Sequence, residues 1–351
     1  MCVLYNTHMT THPRVGFCCK WLNDPSEFGG TKVNAVDRDL NGRSTTMRWL
    51  REHPAEAEQR QWDIMNHNAR AAVLMIERVA TLPPERRMVR LGSEMLQGYT
   101  EPSWIAWWQR PEIQSHLEKI FAPIGETARR LDVRLSFHPG QFCVLASEAD
   151  EIVERSILEF EYHADMARWM GYGKSWHDHG FKINVHLSGK GGAAKFRRTL
   201  GRLSPEARNL ITIENDEMTN GLDVVLDVAD CVAIVLDVHH HWINSGEYIT
   251  PLETRARRVI ESWRGVRPAL HYSVSREDCI VGHDTTVKPD LATLLAAGYK
   301  KQKLRAHSDL MWNTACNDWI AEFSPEWDIQ CEAKGKNLAS QQVYEHIFVR
   351  A

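Results

Sequence analysis

The chain has 351 residues, of which 43% are hydrophobic and 25% are charged, values close to the average for globular proteins. This composition excludes collagen-like, coiled-coil and largely disordered chains, and the length suits one large α/β domain. Subtracting 46 acidic residues from 42 lysines and arginines gives a net charge of −4. No global positive field would therefore attract DNA or an anionic membrane, and any nucleic-acid site must be local.

Targeting segments and disulfides are not expected. The first fourteen residues contain few apolar side chains, and no later stretch approaches eighteen uncharged apolar residues. Eight cysteines are scattered along the chain without Cys-x-x-Cys spacing, which predicts free thiols. These features predict a cytoplasmic location and no membrane association.

Short apolar runs alternate with longer amphipathic stretches along the whole chain. Eight runs have the length of β-strands, at residues 14–18, 88–91, 133–137, 181–185, 210–213, 232–236, 269–272 and 327–331. Apolar residues recur at helical spacing between them, at residues 62–79, 116–130, 151–170, 205–208, 222–229 and 252–263. This alternation favours an α/β fold, a single (β/α)₈ TIM barrel over residues 1–351 with a long polar loop at about 22–45. A doubly wound open sheet is the structural alternative.

Metal-ligand residue types stand at the ends of six of these runs. They are His138, His186, Glu214, Asp237, His271 and Glu332. In a parallel barrel the C-terminal ends of the strands meet at one face, so these side chains are expected to form one cluster. One of the three histidines at 239–241, which follow Asp237, is expected to join it.

A single histidine at a strand end is more often a hydrogen-bonded structural residue than a ligand. Six coincident cases change that balance, because buried unpaired carboxylates cost several kcal/mol each without a cation. Imidazole and carboxylate ligands without thiolate suit Zn²⁺, Mn²⁺ or Fe²⁺. Carboxylates also bridge neighbouring ions, so a centre with more than one metal is plausible.

Several motifs resemble those of the UV damage endonuclease family (UvdE/UvsE-type), which is related to endonuclease IV and the xylose isomerase-like TIM barrels. The combination is RVGF at 14–17, RLGSE at 90–94, LSFHPGQF at 135–142, INVHLSG at 183–189, ITIENDE at 211–217, LDVHHHWIN at 236–244, RAHSD at 305–309 and EAKGK at 332–336. The resemblance covers most of the chain.

The resemblance implies a metal-ligand set that extends the strand-end cluster. It comprises Glu94, His138, His186, Glu214, Asp237, His240, His271, His307 and Glu332. His240 follows from the D-x-x-H spacing of the family. His283, in an apparent insertion at about 274–302, is the alternative to His307.

The activity that the resemblance implies is DNA repair by hydrolysis of the phosphodiester bond 5′ to UV photoproducts or other lesions. Two or three divalent ions per chain would activate a water molecule, with Mn²⁺ favoured and Zn²⁺ or another metal left open. The implied catalytic residues are Glu214, Asp237, His271 and Glu332. The implied partner is damaged double-stranded DNA, with no obligate protein partner.

Residues for DNA and lesion binding follow from the same resemblance. They are Phe17, Gln141, Phe142, Lys190, Lys195, Arg305 and Lys334. Gln141 and Phe142 follow a Pro-Gly turn and are the candidates for probing a distorted duplex, since lesion recognition by nucleotide extrusion requires a side chain to fill the gap.

Two alternatives stay open, and three departures from the family motivate the first of them. Phe17 stands where relatives often have Tyr, Trp21 near a frequent Asn, and Ala269 where a Lys precedes the histidine aligned with His271 by two residues. One alternative is a lesion-binding barrel whose nuclease activity is lost or redirected. The other is a sugar isomerase or epimerase of the xylose isomerase type, which shares the barrel and several ligands.

Overall fold

The computed structural model describes residues 12–23 and 38–349. Eight parallel strands form a closed barrel in which each strand pairs with the next and β8 pairs with β1. The strands are β1 Val15–Cys18, β2 Met88–Arg90, β3 Arg134–Phe137, β4 Lys182–His186, β5 Ile211–Glu214, β6 Ala233–Asp237, β7 Ala269–Tyr272 and β8 Asp328–Cys331. The predicted (β/α)₈ barrel is confirmed, the open sheet is excluded, and each predicted strand boundary is within one residue.

Helices lie between the strands and begin at conventional start signals. Proline occupies the first turn of α2, α4 and α7, and Ser204 caps α7 by accepting a hydrogen bond from the backbone N–H of Ala207. The helices in the described ranges are α1 Met47–Glu52, α2 Pro54–Ala80, α3 Pro102–Trp108, α4 Pro111–Arg130, α5 Asp150–Trp169, α6 Gly192–Leu200, α7 Pro205–Leu210, α8 Leu222–Leu226, α9 Val238–Ser245, α10 Thr254–Ser262, α11 Leu291–Ala296, α12 Lys301–Leu304, α13 Thr314–Ala321 and α14 Lys336–Tyr344.

The barrel interior is polar where the inward-facing positions of the strands carry polar side chains. On β4, Ile183 and Val185 pack outward in the hydrophobic core against the helices, whereas Lys182, Asn184 and His186 face the barrel interior. Side chains of a strand point alternately to its two faces, so one strand can supply core and site together. The polar interior is what positions the functional site.

A buried ion-pair network closes the N-terminal end of the barrel. The Asp328 carboxylate lies 2.7 Å from Arg134 and 2.9 Å from Arg267, and it accepts a hydrogen bond from the backbone N–H of Arg14 at 2.9 Å. The Arg134 guanidinium also lies over the ring of Trp263. This end of the barrel is therefore held by buried ion pairs, and the functional site is expected at the opposite end.

Two expected irregular segments have different outcomes. The long polar loop expected at about 22–45 falls largely on residues 24–37, which lie outside the described ranges, as do the first eleven residues. The insertion after β7 contains the turn Glu277–Cys279 followed by α11 and α12.

Every cysteine in the described ranges is a free thiol, as expected. None of the helices described is both long and apolar enough to cross a membrane.

Candidate metal centre

Eight of the nine expected ligand side chains meet at the C-terminal end of the barrel. The eight are His138, His186, Glu214, Asp237, His240, His271, His307 and Glu332. Six of them stand at or next to the C-terminal ends of β3 to β8, His240 lies in the first turn of α9, and His307 follows α12 in the connection from β7 to β8. The strand-end reasoning therefore located the cluster.

Glu214 is the centre of this group. Its Oε2 atom lies 3.1 Å from His271 Nδ1, 3.3 Å from His138 Nε2 and 4.0 Å from His186 Nε2. Its Oε1 atom lies 3.3 Å from His240 Nδ1. One fully buried carboxylate thus faces four imidazoles.

Asp237 and His240 are held on the turn from β6 into α9. Asp237 is the N-cap of α9, and its Oδ1 atom accepts a hydrogen bond of 2.7 Å from the backbone N–H of His240. Asn215 fixes the same segment, because its side chain exchanges two hydrogen bonds of 2.9 Å with the Asp237 backbone. The cap aims the other Asp237 oxygen into the cluster, where Oδ2 lies 3.7 Å from His240 Nδ1.

Glu332 is a second carboxylate that faces histidines of the cluster. Its Oε1 atom lies 3.3 Å from His271 Nδ1, and its Oε2 atom lies 4.0 Å from His307 Nδ1. Arg90 on β2 forms a close ion pair with the same carboxylate. Arg90 was not singled out from the sequence, although it belongs to the RLGSE motif. Its strand, β2, is separated from β8 by β1 alone.

The donor atoms of the cluster fit a divalent cation. Four buried atoms have no hydrogen-bond partner, namely His186 Nδ1, Glu214 Oε1, Asp237 Oδ2 and His271 Nδ1. Two triads have one potential ligand atom each within 4.8 Å of one another, His138–His186–Glu214 and Glu214–Asp237–His271. Buried unpaired groups of this kind are stabilised by coordination, and the shared Glu214 suits a bridge between two ions.

Burial and mutual charge shift the titration of these groups. Burial lowers the pKa of His138 to about 4 and lowers the pKa of His271 below its ordinary value. Burial and the charges of Glu214 and Glu332 raise the pKa of Asp237, against the opposing influence of His240. Neutral imidazole is the form that binds a metal, so burial prepares His138 and His271 for ligation.

Two further side chains of β4 hold the cluster from inside the barrel. The Nζ atom of Lys182 lies 3.2 Å from Nε2 of His271, and the Asn184 amide donates a hydrogen bond to Glu214. Thr212 in turn donates to Asn184 at 2.7 Å. Burial lowers the pKa of Lys182 to about 7. Sequence reasoning missed Lys182 and Asn184, although both precede His186 at the two-residue spacing of one strand face.

The structure gives the positions of three further groups of residues that the sequence singled out. Glu94 is exposed on the loop after β2, and no contact with the cluster is found for it in the described part of the chain. His283 lies in the insertion, with Nε2 2.9 Å from the Val287 carbonyl oxygen, so His307 is the histidine that the structure brings to the centre. Phe17 is 1% exposed and packs against Trp21. Its expected contact with DNA is therefore corrected, because a core side chain has no free face.

The other expected DNA-contacting residues lie in the connections that follow the strands, with Lys195 within α6 and the rest on loops. Phe142 is 83% exposed and Gln141 is also exposed, on the loop that follows His138. Most of the expected cations have acidic partners, since Lys195 lies 2.6 Å from Asp150, Arg305 lies 2.8 Å from Glu217 and Lys334 lies 3.5 Å from Asp309, while Lys190 is exposed. The acidic partners offset the positive charge that these three side chains would add to the surface.

Comparison with known proteins places this geometry in context. The family described as UV-endonuclease UvdE matches residues 30–347 of the chain. A UV DNA damage endonuclease of Bacillus velezensis is 30% identical over 203 residues, which cover 55% of this chain and 60% of that protein. A UV DNA damage endonuclease of Bacillus mycoides is 25% identical over 249 residues, which cover 66% and 69%. The match thus spans less than two thirds of the first relative.

A solved structure has the same architecture. The crystal structure of SacUVDE matches with a TM-score of 0.69 and 22% sequence identity, covering 95% of this chain and 97% of that chain. At this level of identity the likeness shows a shared barrel fold. The function has to be argued from the site.

Proposed function

Because the chain belongs to the UV-endonuclease UvdE family, we propose that it is a metal-dependent DNA repair endonuclease. The bond it cleaves is the phosphodiester 5′ to a UV photoproduct or another lesion. The observation that carries the proposal is the buried Glu214 carboxylate, which faces four imidazoles and shares both potential metal triads. The names of the relatives, UV DNA damage endonucleases, support the substrate class.

The metal centre would be held by the eight clustered side chains. The number of ions that suits them is two or three, with Mn²⁺ proposed first because mixed carboxylate and imidazole ligands suit it, and with Zn²⁺ as the alternative. When bound, such ions polarise a phosphodiester, stabilise the leaving oxygen and lower the pKa of a bound water. Glu94 remains a proposed ligand that would have to move, since its loop side chain is exposed.

Each of the four proposed catalytic residues has a different role in the proposed metal centre. Glu214 supplies the shared carboxylate, and Asp237 supplies a second one whose orientation is fixed by the cap on α9. His271 lies between two carboxylates, with Nδ1 within 3.3 Å of both Glu214 and Glu332. Arg90 keeps Glu332 in place by pairing with it. A centre held at this precision orients a phosphate for in-line attack.

Recognition of damage would take place on the loop after β3. Phe142, with most of its ring in solvent, and the neighbouring Gln141 have the reach to enter a duplex whose stacking is already weakened. Lys190, Lys195, Arg305 and Lys334 would hold the DNA backbone by exchanging their present acidic partners, where they have them, for phosphates.

The experiment that tests the proposal is an incision assay with purified protein and Mn²⁺. End-labelled duplexes would contain a cyclobutane dimer, a 6-4 photoproduct, an abasic site or no lesion, each with and without EDTA. We expect cleavage immediately 5′ to at least one lesion, little cleavage of the intact duplex, and none with EDTA.

The same preparation should be analysed for bound metal. Protein that binds Mn²⁺ yet leaves every duplex intact contradicts the nuclease proposal. If that protein also retains tight binding to damaged duplex, the lesion-binding alternative is supported, and if it interconverts sugars, the isomerase alternative is supported. Protein that binds no divalent metal contradicts the metal centre itself.

A further inference from the structure

Lys182 is a buried lysine that the proposed reaction does not use. It is the second residue of the sequence FKINVH, it is 2% exposed, and it extends inside the barrel toward the metal centre. Its Nζ atom lies 3.2 Å from His271 Nε2. In the described part of the chain no carboxylate oxygen lies within ion-pair distance of that Nζ atom.

Such a side chain is costly for stability. Removing a lysine amine from water without an ion-pair partner costs several kcal/mol, and lysine is seldom fully buried unless it is paired. An apolar side chain of similar length would fill the same volume without that cost. Packing therefore gives no reason for a lysine here.

The position of Lys182 relative to His271 does give a reason. His271 presents Nδ1 to Glu214 at 3.1 Å and to Glu332 at 3.3 Å, while its opposite nitrogen, Nε2, faces Lys182. An imidazole held at one nitrogen has its ring plane and its other nitrogen fixed in direction. Partners of this kind on ligand histidines typically change metal affinity by about 10- to 100-fold when removed.

The geometry points to Lys182 as a positioning residue of the metal centre that acts through His271. With Nδ1 as the ligand atom, Nε2 carries the ring proton and donates it to the Lys182 amine, which holds the ring from inside the barrel so that Nδ1 stays directed at the space between Glu214 and Glu332. Asn184, two residues further along the same strand face, holds Glu214 in a comparable way. One strand thus orients two ligands on β5 and β7 and adds His186 at its own end. This inference rests on the proposed metal centre.

The test measures Mn²⁺ binding to EDTA-stripped full-length protein, by equilibrium dialysis and by the EPR signal of free Mn²⁺. Lys182→Met keeps the length of the side chain and removes the amine. We expect the variant to lose about 10- to 100-fold in affinity for one ion. Ser136→Ala is the matched control, because Ser136 is a buried residue paired in register with Lys182 and its hydroxyl has no hydrogen-bond partner. Its Mn²⁺ affinity should stay that of the unaltered protein.

A double-mutant cycle separates positioning from general structural support. If Lys182 acts through His271, Lys182→Met should have no further effect on Mn²⁺ affinity in a His271→Asn background, whereas a structural defect would lower affinity in both backgrounds. Circular dichroism and thermal melting establish that each variant is folded. Lys182→Leu makes the same deletion if the methionine variant does not fold.

The outcomes distinguish this inference from the proposed function. Unaltered protein that binds neither Mn²⁺ nor Zn²⁺ overturns the metal centre as a whole. Unaltered protein that binds Mn²⁺, together with a Lys182→Met variant of equal or tighter affinity, overturns only the role of Lys182. An equal loss in Ser136→Ala, or additive losses in the double-mutant cycle, also overturns it.

Discussion

The Nδ1 atom of His271 and the Oε2 atom of Glu214 lie 3.1 Å apart, and both side chains are fully buried. His271 lies on β7, one residue before its end, and Glu214 ends β5. Because β6 separates these two strands, the contact crosses the barrel interior. The Oε2 atom accepts a hydrogen bond from the Asn184 amide, whereas His271 Nδ1 has no hydrogen-bond partner. Their arrangement is that of two ligands aimed at a common ion.

Glu214→Gln is therefore expected to abolish incision of damaged duplex, with a loss of at least about a hundredfold, because several kcal/mol of charge stabilisation depends on the bridging carboxylate. The fold should be retained, since the glutamine oxygen can still accept the hydrogen bond from Asn184. The measurements are incision rate and bound Mn²⁺ per chain.

Glu77→Gln, on the exposed face of α2, is the control for this substitution. It makes the same chemical change outside the cluster, and its incision rate should match that of the unaltered protein. Full activity in Glu214→Gln would remove Glu214 from the catalytic centre.

Phe142→Ala is expected to weaken the preference for damaged over intact duplex while leaving metal content unchanged. The ring is 83% exposed, so its removal costs little stability, whereas loss of a stacking side chain typically costs about 1–3 kcal/mol of binding. Fluorescence anisotropy with lesion-containing and intact duplexes measures the ratio directly. Gln141→Ala should act in the same direction. A variant with unchanged discrimination would show that Phe142 takes no part in lesion recognition.

Much of this architecture could be predicted because the polar ligands themselves bound the apolar strands. His138, Glu214 and Asp237 each interrupt an apolar run, so the same residues mark the strand end and the chemistry. The C-terminal ends of parallel strands converge in any closed barrel, and the cluster follows from that topology alone.

The differences between expectation and structure have two sources: the path of a loop, which periodicity does not predict, and strand alternation, which was not applied to every strand. Glu94 stands beyond a strand end, but the path of its loop is set by tertiary packing, and its side chain faces solvent. Phe17 lies between inward-facing Gly16 and Cys18, so alternation would have placed it in the core. Lys182 was treated as part of an apolar run, whereas its spacing from His186 already put both on the inner face.

Asp328→Asn is expected to lower the free energy of unfolding by about 3–5 kcal/mol, because the change leaves buried Arg134 without a counter-charge. The Asp328 carboxylate is 2.7 Å from Arg134 and is fully buried. Urea titration monitored by circular dichroism measures the change. Since this network closes the end of the barrel opposite to the metal centre, variant protein that remains folded should bind Mn²⁺ normally.

Asp132→Asn is the matched control for the ion-pair network. Asp132 pairs with Arg14 at 2.7 Å, but its side chain is 56% exposed, and exposed ion pairs contribute only about 0–1 kcal/mol. Equal destabilisation by the two substitutions would contradict the assignment of the buried pair as the one that matters.

Acid sensitivity should arise in part from His163, a histidine on α5 outside the metal centre. Burial lowers the pKa of His163 to about 4, against an ordinary value of 6.5. Between pH 6.5 and 4, His163 is protonated in the unfolded chain but neutral in the folded chain. The free energy of unfolding therefore falls as the pH drops through this range. For this one group the loss at pH 5 is about 2 kcal/mol relative to pH 7.5.

His163→Phe should remove that share of the pH dependence, because phenylalanine keeps an aromatic ring beside Phe137 and Tyr162 but binds no proton. Unfolding free energies in urea, measured at pH 7.5 and 5 with EDTA present, should differ by about 2 kcal/mol less in the variant than in the unaltered protein. Chelation keeps metal binding out of the comparison, so the difference reports on the histidine alone. An identical pH dependence in both proteins would mean that His163 takes up a proton in the folded state as readily as in the unfolded state, which its buried position on α5 argues against.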